Sequence, residues 1–278
     1  MHCRDLRQLA YPRRFSKITL PFPDSNGSRF SMFGLNRNST KRAFNIVGGF
    51  IDYIRDSSAG RKWSPFNGQA KRRQIFDALS GLHFAAIVET GTYLGTTTQY
   101  FAETGLPVFS VEGHARRYGF VRARFLRFRN VSLSLGDTRS QLRKILVKLG
   151  PEICQKPVFF YLDAHWKKDL PLADELDIVL RSCAQPIIMI DDFEVADDPS
   201  YGFDNYGEGK ALIRAYVEPF MIRDKLSLFY PSARSSEETG FKRGCVVLAR
   251  ESAQEQLARL PQLRLAPAGS PDPAAGSL

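Results

Sequence analysis

Five apolar runs punctuate the middle of the chain, and each closes on a polar turn. Ile87-Val88 leads into Glu89-Thr90-Gly91-Thr92-Tyr93-Leu94-Gly95-Thr96-Thr97-Thr98, and residues 107–111 end at Glu112. Residues 131–135 alternate apolar and polar before Gly136-Asp137, 158–162 deliver Asp163, and 186–190 deliver Asp191 and Asp192. Short, nearly continuous apolar runs are the pattern of strands covered on both faces. The stretches at 39–57, 70–79, 169–182 and 209–219 read as helices, 148–157 as a helix end with its loop, and 226–230 and 245–249 as late strands. Alternation of the two types from about residue 84 to 250 predicts one doubly wound α/β domain. From residue 266 onward Pro, Ala, Gly and Ser dominate, the composition of a disordered tail. The expected organisation is a basic, partly helical extension over 1–66, the α/β domain over 67–250, and a helix remnant with the tail over 251–278.

The first turn carries the most specific signal. Gly91 and Gly95 let the backbone pass close to a ligand, and the threonines offer hydroxyls and capping capacity to the helix that follows. The spacing, Glu-x-Gly-x-x-x-Gly, lacks the third glycine of the dinucleotide fingerprint, so a pyrophosphate is not the indicated guest. The motif resembles that of the class I S-adenosylmethionine-dependent methyltransferases. That resemblance implies a mostly parallel, seven-stranded, Rossmann-like sheet whose last two strands are an antiparallel pair. It also implies a methyl-donor site drawn from Glu89, Thr90, Gly91, Thr92, Gly95, Thr96, Glu112, Asp137 and Asp163, with Glu112 on the ribose hydroxyls and Asp137 near the adenine.

Acids at the ends of two neighbouring strands can converge on one hard cation, because parallel strands lie about 4.8 Å apart. An acid after the fourth strand and an acidic pair after the fifth resemble the divalent-metal-dependent O-methyltransferases that act on catechols and sugars, a likeness covering residues 67–250. It implies Asp163, Asp191 and Asp192 as ligands of Mg²⁺ or another divalent cation, and a hydroxylated small molecule or glycan as acceptor. The surroundings depart from that family: Asp163-Ala164-His165-Trp166 follows the fourth strand, and the lysine base of the catechol-type enzymes has no counterpart that spacing identifies. His165 is a candidate general base beside the catalytic Asp163, with a purely orienting role as the alternative. Trp166, Tyr201, Phe203 and Tyr206 are candidates to line the acceptor pocket, and Lys167 and Lys168 to meet an anionic acceptor.

Charge and cysteine usage narrow the remaining choices. Residues 1–80 hold 15 Lys and Arg against 5 Asp and Glu, leaving 24 of each in the rest of the 278-residue chain. The basic character is thus N-terminal, and a run such as Lys71-Arg72-Arg73 reads as a solvated helix face. The arginines between Arg116 and Arg129, interleaved with Phe120, Phe125 and Phe128, read as a helix with its aromatic side inward. Four cysteines without Cys-x-x-Cys spacing indicate reduced thiols, and no apolar run is long enough to span a membrane. Cytoplasmic residence is the expectation. Two alternatives stay open: a non-catalytic nucleotide-binding protein, and an RNA-modifying methyltransferase using the basic N-terminus. The second lacks the Asn/Asp-Pro-Pro-aromatic tetrad of the amine methylases, since Leu162-Asp163-Ala164-His165 stands in its place. A nicotinamide dehydrogenase carries little weight. Oligomeric state is not legible.

Overall fold

The computed structural model describes residues 37–55, 64–165 and 169–267. The first 36 residues, Trp166, Lys167, Lys168 and the tail beyond 267 lie outside the described residues.

Five parallel strands, β1 (Ala86–Thr90), β2 (Val108–Glu112), β3 (Val131–Leu135), β4 (Pro157–Leu162) and β5 (Gln185–Asp191), occupy the five apolar runs. β6 (Leu226–Pro231) and β7 (Cys245–Arg250) follow, and the order across the sheet is β3-β2-β1-β4-β5-β7-β6-β8. β7 lies antiparallel between β5 and β6, so the late strands form the expected antiparallel pair. The expectation of seven strands is corrected by β8 (Leu263–Leu265), which pairs antiparallel with β6. Three residues are too few to show a period, so only pairing with β6 makes them a strand.

Helices cover both faces. α5 (Thr138–Cys154), α6 (Leu172–Ser182) and α7 (Arg214–Asp224) bury Leu142, Ile145, Leu176, Val179 and Val217 against one face. α2 (Ala70–Leu79), α3 (Thr96–Ala102) and α8 (Gln254–Ala258) cover the other, where Phe66, Phe76, Phe101, Phe159 and Tyr161 form an aromatic cluster. α4 (Ala115–Arg124) buries Phe120 and leaves Arg116 and Arg122 outside, as its pattern predicts. α1 (Arg37–Arg55) packs on α4, with Tyr53 edge-on to Phe120 at 5.3 Å between ring centroids.

Two helix expectations shift. α7 begins five residues later than the apolar pattern suggests, because Asn205 and Ala211 pair in an isolated bridge around Gly207 and Gly209, both at positive φ. α5 is interrupted at Gly150 (φ 77°), and Pro151 opens a final turn that ends at Cys154. The described cysteines, Cys154, Cys183 and Cys245, are buried free thiols.

Candidate active site at the carboxyl ends of the strands

The turn after β1 crosses the sheet end under tight constraint. Gly91 N and Thr92 N both donate to the Val111 carbonyl, and Asp163 N donates to the Thr90 carbonyl. Gly91 has φ 91°, and a Cβ there would lie 2.2 Å from the Asp163 carbonyl oxygen; at Gly95 (φ 75°) it would lie 2.6 Å from the Phe125 ring. Both glycines therefore admit the protein's own backbone and an aromatic ring, which is the reason they are needed here. Most of the hydroxyls and the first acid also turn inward. Glu89 is buried and accepts from Thr98 and Ser110 Oγ, each at 2.5 Å. Thr92 shares a 2.5 Å hydrogen bond with Ser110, Thr97 Oγ1 accepts from Phe66 N, and Thr90 is fully buried. Thr96, half-buried, opens α3.

Glu112 joins two strand ends. Its Oε2 accepts from Tyr93 N at 2.9 Å and its Oε1 from His114 N at 2.7 Å. Each carboxylate oxygen keeps a second lone pair, so the group can still accept from a ligand diol. Burial raises its pKa, and the two backbone N–H groups and Arg117 oppose the rise. Asp137 caps α5 by accepting from Ser140 N and pairs with Arg139, at the exposed end of β3.

Asp163, His165 and Asp192 come together at the ends of β4 and β5, offering three ligand atoms within 4.8 Å of one another. His165 is 5% exposed, and its Nε2 stands 3.9 Å from Asp163 Oδ1, beyond hydrogen-bond reach. That nitrogen is buried and has no hydrogen-bond partner. Burial holds the imidazole below its ordinary pKa, against the pull of Asp192 and Asp204, so the neutral, metal-binding form prevails at pH 7. Burial, and then the Asp192 charge, push the Asp163 carboxyl well above the usual carboxylate range.

Asp191 does not join this group, which corrects its expected place among the metal ligands. Its side chain is fully buried, paired with Arg72, hydrogen-bonded by the Tyr161 hydroxyl, and accepts from Asp192 N at 2.7 Å. Neighbouring residues of a strand point to opposite sides, so Asp191 and Asp192 cannot both face the cleft while β5 stays regular. Asp192 has left the strand, at φ 52°. The Lys71-Arg72-Arg73 run is corrected too: Arg72 is 1% exposed and also donates to the Arg243 and Gly244 carbonyls.

Two residues at the site escape sequence reading. Arg243 donates to Asp192 Oδ1 at 2.7 Å and pairs with Asp204. The loop after β5 carries them together, with Phe193 N donating to the Gly244 carbonyl and Gly202 N to that of Lys242. Arg243 lies two residues before the start of β7, and no local pattern marks it. Of the aromatic candidates, Tyr206 reaches the site: its hydroxyl bonds Asp204 and the His165 carbonyl, and its ring centroid lies 6.5 Å from that of His165. Tyr201 is buried, donating to the Ala233 carbonyl away from the cleft, and Phe203 is half-buried.

No protein-family model matches the chain, and no curated protein matches it. Among solved structures, the O-methyltransferase of Bacillus cereus, in complex with S-adenosylhomocysteine, is 17% identical over 73% of this chain and 90% of its own, with a TM-score of 0.49. The chain carries a doubly wound, mostly parallel, Rossmann-like sheet with an antiparallel edge. The O-methyltransferase TomG of Streptomyces achromogenes is 17% identical over 65% of this chain and 78% of its own, with a TM-score of 0.43. An rRNA methylase of Streptococcus thermophilus is 17% identical over 65% and 96%, with a TM-score of 0.41.

Proposed function

We propose that this chain is an S-adenosylmethionine-dependent O-methyltransferase acting on a hydroxylated small molecule or glycan, with a divalent cation held by Asp163, His165 and Asp192. The observation that carries the reading is the partnerless, buried Nε2 of His165 beside two carboxylates, one strand away from the turn after β1. Charge balance supports a dication. When ionised, Asp163, Asp192 and Asp204 carry three negative charges, and Arg243 returns one. A bound Mg²⁺ or similar cation would supply a Lewis acid that lowers the pKa of the acceptor hydroxyl.

The protein's own part is placement. Glu112 bridges the ends of β1 and β2, where a ribose diol can be held, while Asp137 stands at the next strand end, where the adenine is expected. Glu89 acts one layer down, tying α3 and β2 to the turn through Thr98 and Ser110. Asp163 would stand beside the donor bound at the turn after β1 and the acceptor held by the cation, where alignment of the two would supply the in-line transfer. Tyr206 and Asp204 form the acceptor side. The hydroxylated acceptor is inferred from the cation that Asp163, His165 and Asp192 would hold, because such a cation activates a hydroxyl oxygen.

The deciding experiment follows S-adenosylhomocysteine release over catechols, sugars and glycans, with and without EDTA, in the native protein and in Asp192→Ala. Cation-dependent turnover, lost in Asp192→Ala while donor binding persists, is the expected result. Undiminished turnover in EDTA would remove the cation and leave neutral His165 as the base. A thermal shift with NAD and none with S-adenosylhomocysteine would overturn the reading altogether; at a hundredfold excess over Kd the donor product should add about 2.7 kcal/mol.

A further inference from the structure

α1 is apolar on two faces, and α4 covers one of them. A Cβ at Gly49 would lie 1.8 Å from the Arg116 carbonyl oxygen, and one at Gly119 would lie 1.9 Å from that of Ile46, so the helices touch backbone to backbone. On the other side Phe44, Val47, Ile51 and Ile54 are exposed by 73, 57, 41 and 63%. Their spacing, three, four and three residues, places them in one stripe. Single exposed apolar side chains are ordinary, but four aligned on one helix mark a contact surface.

Charge selects the partner. Lys41 and Arg55 flank the stripe at helical spacing from Phe44 and Ile51, and both are exposed. The helix has one acid, Asp52, which the Arg116 guanidinium takes with two hydrogen bonds of 2.6 and 3.0 Å. α4 adds exposed Arg122, and Arg127 and Arg129 follow it on the surface. A second copy of this face would set cation against cation. A nucleic acid would meet the charge but leave Phe44, Val47, Ile51 and Ile54 without a counterpart. An anionic bilayer meets both, because aliphatic and aromatic groups enter the acyl boundary while Lys and Arg hold lipid phosphates. Among the described residues no helix is long and apolar enough to cross a membrane, so α1 would lie in the interface plane.

We propose that α1 docks the protein on an anionic lipid surface through Phe44, Val47, Ile51 and Ile54. Arg42 donates to the Leu135 carbonyl at 3.4 Å, which sets α1 at the carboxyl end of β3, the same end of the sheet as the candidate site.

The test is flotation of the full chain with vesicles of phosphatidylcholine alone, or of phosphatidylcholine with about one-third phosphatidylglycerol, at low and high salt. The full chain floats with anionic vesicles at low salt and stays behind with neutral ones. The pairs Phe44→Ser with Ile51→Ser, and Lys41→Glu with Arg55→Glu, each weaken that binding about tenfold or more with an unchanged melting temperature. The charge-reversal pair touches no apolar packing, so it decides the matter if the serine pair melts early. No flotation of the native chain overturns the proposal. So does flotation unchanged in both pairs, which places binding elsewhere on the chain, or a concentration-dependent dimer that the serine pair abolishes.

Discussion

Arg243 and Asp192 meet at 2.7 Å, and the same guanidinium pairs with Asp204 on the loop beyond, so one fixed cation already spans two of the acids around the candidate metal centre. A dication entering beside Asp192 meets a carboxylate whose charge is partly compensated. Arg243 therefore fixes the place of these acids and would temper the affinity of the proposed site for a cation.

Removing that charge should tighten metal binding. Arg243→Ala is expected to lower the dissociation constant for Mn²⁺ by about tenfold, or ~1.4 kcal/mol, the low end for a unit charge near a dication in a high-dielectric setting. Isothermal titration with Mn²⁺ measures it. Weaker binding would mean that Arg243 holds Asp192 in its ligating position.

Asp191 and Asp192 should separate stability from metal binding. Asp191→Ala leaves Arg72 buried without its partner and is expected to cost about 3–5 kcal/mol in urea unfolding, with Mn²⁺ affinity retained in the folded fraction. Replacing both by apolar groups, Arg72→Met with Asp191→Leu, should recover much of the loss. Asp192→Ala should do the reverse: little change in the unfolding midpoint and no Mn²⁺ binding. A metal-blind Asp191→Ala protein that unfolds normally would restore Asp191 to the ligand set.

Glu89 should make stability fall with pH. Burial raises its pKa from 4.5 to about 7, partly opposed by the Ser110 and Thr98 hydrogen bonds. Between those values the folded chain keeps a proton that the unfolded chain releases, so stability present below pH 4.5 is lost progressively up to about pH 7, on the order of 3 kcal/mol. Glu175 is raised to about 7 in the same way and adds to the trend. Glu89→Gln cannot ionise and should make the dependence of the urea midpoint between pH 5 and 7 shallower, leaving the Glu175 share in place. An unchanged slope would place the Glu89 proton elsewhere.

Local pattern alone determined much of this protein. Strand and helix periods are properties of a few consecutive residues, so the five parallel strands, the late antiparallel pair and α2 over Ala70–Leu79 stand where the apolar runs put them. The collection of acids at the strand ends was legible for the same reason. What each acid faces was decided by the tertiary structure. Arg72, 119 residues from Asp191, claims that carboxylate for the interior, and Arg243, 51 residues from Asp192, claims the other for the cleft. β8 needed β6 beside it, and the start of α7 needed the bridge between Asn205 and Ala211. A period identifies an element because it repeats within it; an ion pair has no period, and only the folded chain brings its two ends together.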